Sequence, residues 1–132
     1  MNLMMRVLTP YGIVYSNKVK ELIFPARNGI VGILPNHLAL TSAVDIGLLT
    51  FRKQRRLNWT TFAVYAGFAR VKRNDITIFV NRAYKDNSVS RKQAKEFLKK
   101  ATNFLNVATT DIQKIEASLY FKEARAMYII SK

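Results

Sequence analysis

His37 is the only histidine in a chain of 132 residues, cysteine is absent, and the eight Asp and Glu residues are scattered without ligand spacing. These counts decide most of the chemistry. One imidazole and dispersed carboxylates supply no multi-ligand metal site, and without cysteine there is no disulfide, thiolate ligand or sulfur nucleophile. Gly29-Ile30-Val31-Gly32 falls short of the dinucleotide-binding glycine pattern, and neither a P-loop nor a G-x-S-x-G serine occurs. A triad drawn from His37, Asp45 and a serine would require a geometry that spacing does not specify. The expectation is no catalytic residue, no cofactor and no metal.

The densest local signal runs from Gly29 to Gly47, GIVGILPNHLALTSAVDIG. Gly29 and Gly32 permit backbone conformations that other residues resist, which suits turns or bulges between short strands. Pro35 fixes its own φ and drives Leu34 extended, so Asn36 and His37 are expected on an ordered turn at a strand end. Such a turn is either a docking surface or a plain connector with a surface histidine.

Charge is the second signal. Twenty-two Lys and Arg against eight Asp and Glu give +14, divided as 12 against 3 over residues 1–83 and 10 against 5 beyond. A field of that sign favours acidic partners, with nucleic acid the first suspect. The run Arg52-Lys53-Gln54-Arg55-Arg56 falls between two expected strands and reads as a solvated hairpin end. Trp59 and Phe62 just beyond it read as core and face residues of a strand, with no RNP-type aromatic signature around them. Hydrophobic residues make up 49% of the chain, yet no apolar run approaches the ~20 residues of a membrane span. Met1 to Thr9 alternate like a strand and show no targeting peptide, which suits a protein made where it works, in a bacterial cytoplasm or a plastid.

The hydrophobic period changes once along the chain. Before about residue 83 short alternating runs dominate: one from Leu3, Met5 and Val7, another marked by Val19, Leu22 and Phe24, then residues 48–53, 57–65, 68–72 and 76–80. Gly12, Pro25, Gly29, Gly47, Gly67 and Asn74-Asp75 punctuate them as turn formers, and the rhythm is that of an antiparallel β-sandwich over residues 1–83. From residue 84 the period becomes helical. Ala94, Phe97, Leu98, Ala101, Phe104, Leu105 and Ala108 form one stripe after a Ser90–Gln93 capping signal. Thr110 and Gln113 repeat the device, and Ile112, Ile115, Leu119, Tyr120, Ala124, Met127 and Tyr128 give a second helix its apolar side. The fold class is thus an all-β sandwich followed by an α-helical hairpin over residues 84–132. The hairpin is too small to be firmly stable alone, so it leans on the sandwich or on a partner.

Read in order, Leu8 to Val14, Val19-Lys20-Glu21, Leu34 to His37, Ala43 to Gly47, Gly67 to Arg70, Ile76-Thr77 and Val80-Asn81 resemble the epsilon subunit of F-type ATP synthases, most closely its plastid and cyanobacterial form. Ala94, Leu98, Ile115, Glu116, Ala117, Ala124 and Arg125 extend the resemblance into the helical part. It implies a non-catalytic central-stalk subunit that binds gamma and the c-ring, couples their rotation and restrains ATP hydrolysis. By position, Asn28, Gly29 and Ile30 correspond to a c-ring-facing turn, and Asn36, His37, Thr41, Ser42 and Ala43 to a gamma-facing surface. Lys99, Lys100, Lys114, Lys122 and Arg125 are candidates to meet acidic loops of the catalytic alpha and beta subunits, the alternative for each being a solvated helix face. The resemblance further implies a plastid thylakoid location, peripheral on the stromal side, or the cytoplasmic face of a bacterial membrane, with membrane association only through the complex and no nucleic acid. The rival reading of the charge is a basic β-barrel nucleic-acid-binding module.

Two departures from the family pattern bear on the expectations. Ala66-Gly67 replaces the usual glycine pair, a mild change provided that the first position does not need positive φ. Some bacterial members hold ATP through an I-D-x-x-R-A pattern at the first helix, where this chain has Val89-Ser90-Arg91-Lys92-Gln93-Ala94, without that acid or that arginine. The isolated protein is therefore expected to bind no ATP tightly, and a calorimetric titration showing micromolar affinity would contradict this.

Overall fold

The computed structural model describes residues 2–54 and 56–131. Met1 of the expected leading strand, Arg55 of the basic run, and Lys132 lie outside the described residues. Eight strands precede two helices: β1 Leu3–Thr9, β2 Gly12–Val19, β3 Glu21–Ala26, β4 Gly29–Ile33, β5 Leu40–Val44, β6 Gly47–Arg52, β7 Thr60–Lys72, β8 Asp75–Tyr84, α1 Arg91–Val107 and α2 Asp111–Ile130. The strands hydrogen-bond in the order β2-β1-β8-β7-β6-β3-β4, with β5 also pairing β7. Leu3, Met5 and Val7 of β1, Leu22 and Phe24 of β3, Leu49 and Phe51 of β6, and Ile76 and Ile78 of β8 are all buried, each set spaced by two as a half-buried strand requires. The rings of Tyr15, Phe51 and Phe62 meet at 4.7–5.9 Å and complete this core.

The sandwich departs from expectation at three places. It is mixed rather than antiparallel, because β1 and β8 run parallel with Met5 opposite Ile76 and Val7 opposite Ile78. Val19 does not share a strand with Leu22 and Phe24; it ends β2, an edge strand whose Gly12, Ile13 and Ser16 to Lys18 are exposed. With one neighbour and a solvated outer side, β2 carries little apolar alternation to reveal it. Finally, Gly67 is not a turn: β7 runs unbroken through it from Thr60 to Lys72.

That continuity shapes the molecule. β6 lies beside the first half of β7, Gly47 opposite Val64, and β5 beside the second half, Val44 opposite Gly67. The register is common to both, so β5 and β6 act as one strand interrupted at Asp45-Ile46, facing the point where β7 bends at Ala66. Ala66 takes φ +45°, the left-handed region that a side chain disfavours. A Cβ on Gly67 would overlap the carbonyl oxygen of Phe79 and come within 2.8 Å of the Val80 Cα, so only glycine fits beneath β8. Across the crease the Asp45 amide donates to the Pro25 carbonyl at 2.9 Å, and the Asp45 carboxylate accepts from the Ile46 amide at 2.8 Å. The provision attached to Ala66 in the sequence fails, since this position does take positive φ.

Ala66→Gly is expected to stabilise the protein by about 1 kcal/mol by relieving a left-handed alanine. Gly67→Ala is expected to destabilise it by at least ~2 kcal/mol through the clash with β8. Denaturant unfolding of the two single variants reads both signs.

Candidate functional site

Leu34 to His37 form a hydrogen-bonded turn, with Pro35 at its second position, Asn36 at φ +67° at its third, and the His37 amide donating to the Leu34 carbonyl at 3.2 Å. Proline then a left-handed asparagine is the type II arrangement. A second turn clamps it. Arg73 and Asn74 join β7 to β8 with both φ positive, and the Asn36 amide donates to the Asn74 side-chain oxygen at 2.6 Å while the Asn74 amide group returns to Asn36 at 3.4 Å. His37 is exposed and its Nδ1 lies 2.7 Å from the Leu38 carbonyl.

The turn leads into β5, where alternation splits the expected gamma-facing segment. Thr41 and Ala43 point outward, whereas Ser42 pairs with buried Ala69 and is half-buried. Ala43 begins a row that crosses five strands: it lies opposite Phe68 on β7, Phe68 opposite Phe79 on β8, Phe79 beside Leu8 on β1, and Leu8 opposite Ile13 on β2. Phe68 is 63% exposed, Phe79 52% and Ile13 69%. An apolar groove floored by these side chains and Gly67 runs along this outer face. Sequence reasoning did not select Phe68, Phe79 or Ile13. The available signal was that Phe68 and Phe79 alternate with core residues Ala69 and Ile78, which puts aromatic surface on the side away from the core.

Asn28, Gly29 and Ile30 lie at the β3–β4 hairpin tip, all exposed. Gly29 at φ +133° lets a chain reversal of only Arg27 and Asn28 reach Ile30, itself 75% exposed.

The other outer face is covered by the chain itself. The helices pack on each other through buried Ala94, Ala101, Ala117 and Ala124, with Phe97 and Phe104 against Tyr120. Ser90 accepts from the Gln93 amide at 3.2 Å, and at Thr110 both halves of a capping box form. The second half of α2 sits on β6 and β7, where Ala126 and Ile130 are buried with Ala63 and Tyr65, flanked by Ile46, Leu48, Tyr84 and Met127. Three polar contacts border this seat. The Tyr65 hydroxyl donates to the Glu123 carbonyl at 3.2 Å, Arg82 pairs with the Glu123 carboxylate at 3.3 Å, and Lys122 lies 3.8 Å from Asp45. Arg91, inside the segment that departs from the nucleotide pattern, stacks on Tyr128 and donates to the Ser131 carbonyl. Ile112, Ile115 and Leu119, expected on the buried side of α2, are instead exposed, because the stripe continues past the edge of the sandwich.

Of the candidate helix cations, Lys99, Lys100, Lys114 and Arg125 are exposed, while Lys122 faces the body through Asp45. Trp59 lies in the loop before β7, not within a strand, beneath the Arg52 guanidinium at 4.7 Å. The structure does not assemble a triad: Asp45 serves the crease and Lys122, and His37 faces its own backbone beyond the opposite end of β5. Among the described residues no group of three or more His, Asp and Glu could hold a metal.

Residues 2–86 match the model of the ATP synthase delta/epsilon chain β-sandwich domain. The chloroplastic ATP synthase epsilon chain of Amborella trichopoda is 42% identical over 125 residues, 95% of this chain and 92% of that protein. The corresponding chain of Oltmannsiellopsis viridis is 40% identical over 128 residues, covering 97% and 96%. The chain belongs to the ATP synthase epsilon chain family. Both of these relatives are of the plastid form. In fold it also resembles a chain of the Euglena gracilis mitochondrial ATP synthase, with a TM-score of 0.82 at 12% identity over 97% of this chain and 80% of that one. A chain of the Tetrahymena thermophila central stalk and c-ring gives 0.65 at 17% identity over 100% and 98%.

Burial raises the Tyr65 phenol well above its ordinary value, with Tyr84 and Glu123 adding to the shift and Arg82 opposing it. A raised folded value means that Tyr65 supports the seat below about pH 10, the ordinary tyrosine value, and loses that contribution as pH rises above it. Tyr65→Phe is expected to lose about 1 kcal/mol at pH 8 with the Glu123 bond, and to lose less than the parent between pH 8 and 11. Chemical unfolding at the two pH values measures the difference.

Proposed function

We propose that this chain is the non-catalytic rotor subunit of a plastid F-type ATP synthase, held between gamma and the c-ring and restraining ATP hydrolysis. The observation that carries the reading is the inequality of the two outer faces. One is sealed by the chain's own helix, while the other leaves the Ala43–Phe68–Phe79–Leu8–Ile13 row open beside a clamped turn, in a chain related over 95% of its length to an epsilon chain. Aromatic residues in an open apolar row are the usual anchors of a protein interface.

The row and the Asn36-His37 turn form the gamma-facing surface, with Thr41 and Ala43 contributing directly and Ser42 supporting from behind. Asn28, Gly29 and Ile30 meet the c-ring, where a short glycine-containing tip with one exposed isoleucine offers a compact contact. In the folded-down hairpin, Lys99, Lys100, Lys114 and Arg125 are available to acidic loops of the catalytic subunits, while Lys122 becomes available when the Asp45 contact opens. In this reading the chain lies at the stromal side of the thylakoid, peripheral and associated with the membrane through the complex. No described helix is long and apolar enough to cross a bilayer. The basic nucleic-acid module loses its support to this reading, since the excess charge has protein partners.

Phe68→Glu is expected to weaken recovery of gamma by at least about tenfold, because it places a charge in an apolar contact, while leaving the fold intact. Ile30→Asp is expected to reduce recovery of c-ring material with gamma binding retained. Both are read by affinity purification from solubilised membranes, and unchanged recovery in both variants would overturn the assignment.

A further inference from the structure

At the end of the sandwich opposite the Arg27-Asn28 tip, cations from two stretches distant in sequence converge on one open cleft: Lys18 and Lys20 where β2 passes into β3, and Arg52, Lys53 and Arg56 from β6 and the loop after it. We propose that this cleft docks an extended acidic peptide segment of a partner protein, at a surface that borders the Leu34–His37 turn but leaves Asn36 and His37 outside its lining.

The charge is nearly one-sided. Among the described residues Glu21 is the only carboxylate lining the cleft, and it is already engaged by Arg52. Among the described residues Lys18, Lys53 and Arg56 have no acidic partner, and all three are exposed. A lysine on an open edge strand alone would read as protection against strand pairing. Five cations from two distant stretches around one concavity, Arg52 among them paired with the Glu21 carboxylate, exceed that need.

Size and walls select the ligand. At about 1260 Å³ the cleft exceeds the ~300–1,000 Å³ of ordinary small-molecule pockets and is far larger than one phosphate needs. Leu34 and Pro35 form an apolar wall, which suits the aliphatic part of a peptide more than a phosphate backbone. A single-stranded nucleic acid would require aromatic faces for its bases. Among the described residues no aromatic side chain lines the cleft, and the nearby Trp59 ring has one face covered by Arg52. A lipid surface is disfavoured by position, an argument that rests on the proposed function: with the Asn28–Ile30 tip turned to the ring in the membrane, this end faces away from it. The β2 edge beside the cleft is open, so an extended segment would find backbone donors and acceptors together with the cations.

Fluorescence anisotropy of a labelled glutamate decapeptide, titrated with the full chain, tests the proposal. The parent is expected to bind with micromolar affinity that weakens with salt, and the double variant K53E/R56E to lose at least about tenfold. The control K92E/K95E carries the same charge change on the exposed side of α1 and is expected to lose less than about threefold. Circular dichroism melts establish that both variants fold. Equal losses in the two variants would overturn the proposal, because binding would then follow net charge alone. So would stronger competition by an oligothymidylate of the same length, or binding to anionic phosphatidylglycerol vesicles that depends on Lys53 and Arg56. K53E/R56E is expected to keep its recovery of gamma, so failure of the cleft and failure of the rotor reading appear in different measurements.

Discussion

β7 belongs to both layers of the sandwich, and its change of layer at Ala66-Gly67 is the constraint on which the other features depend. Before the bend its outward residues, Ala63 and Tyr65, look toward α2; after it, Phe68 looks out from the opposite side. One strand thereby builds the seat of the hairpin and the open aromatic row. The bend requires a backbone that folds sharply without losing its ladder, and both partners cooperate: β5 and β6 break at the same level, and Gly67 lets β8 pass close. A left-handed alanine costs about 1–2 kcal/mol and persists because its flanking residues are fixed in register, Tyr65 and Gly67 against β8, Val64 against β6 and Gly67 against β5.

The covering of the first face is limited by what α2 presents. Ala126 and Ile130 are the buried α2 residues of this seat, and the Arg82–Glu123 and Lys122–Asp45 pairs are exposed enough that each contributes at most about 1 kcal/mol. Arg91 and the Asn87–Ile130 backbone bond hold the end of α2 nearest the linker. At the other end of the hairpin Ile112, Ile115, Leu119 and Val107 are exposed. The helices are thus tied at one end and exposed at the other, a distribution of stability suited to an element that changes neighbours.

Most of the core was legible because burial on one face imposes a period of two, and the helices because alanine and aromatic spacing and two capping residues mark them. The failures share a cause: the same residue type serves two physical ends. Gly67 looks like a turn former, but it is needed where β8 approaches, a fact fixed by a carbonyl 12 residues away in sequence. Ile112, Ile115 and Leu119 share the period of the buried stripe, yet a sequence does not say where the surface beneath a helix ends. At the candidate surfaces, Pro35-Asn36 announced the turn, while its clamp joins residues 38 apart and left no local trace. The outward phenylalanines were visible as alternation, but not which of the two faces a helix would cover.

The reciprocal bonding of Asn36 and Asn74 has a consequence for association. Ordering a flexible residue costs about 1–2 kcal/mol of backbone freedom, and a loose loop meets that loss each time a partner arrives. Here the loss falls within folding, before any encounter. Whatever settles against the imidazole of His37 finds a rigid platform, so favourable contacts made there lengthen the lifetime of the pair instead of being spent on quieting a moving chain.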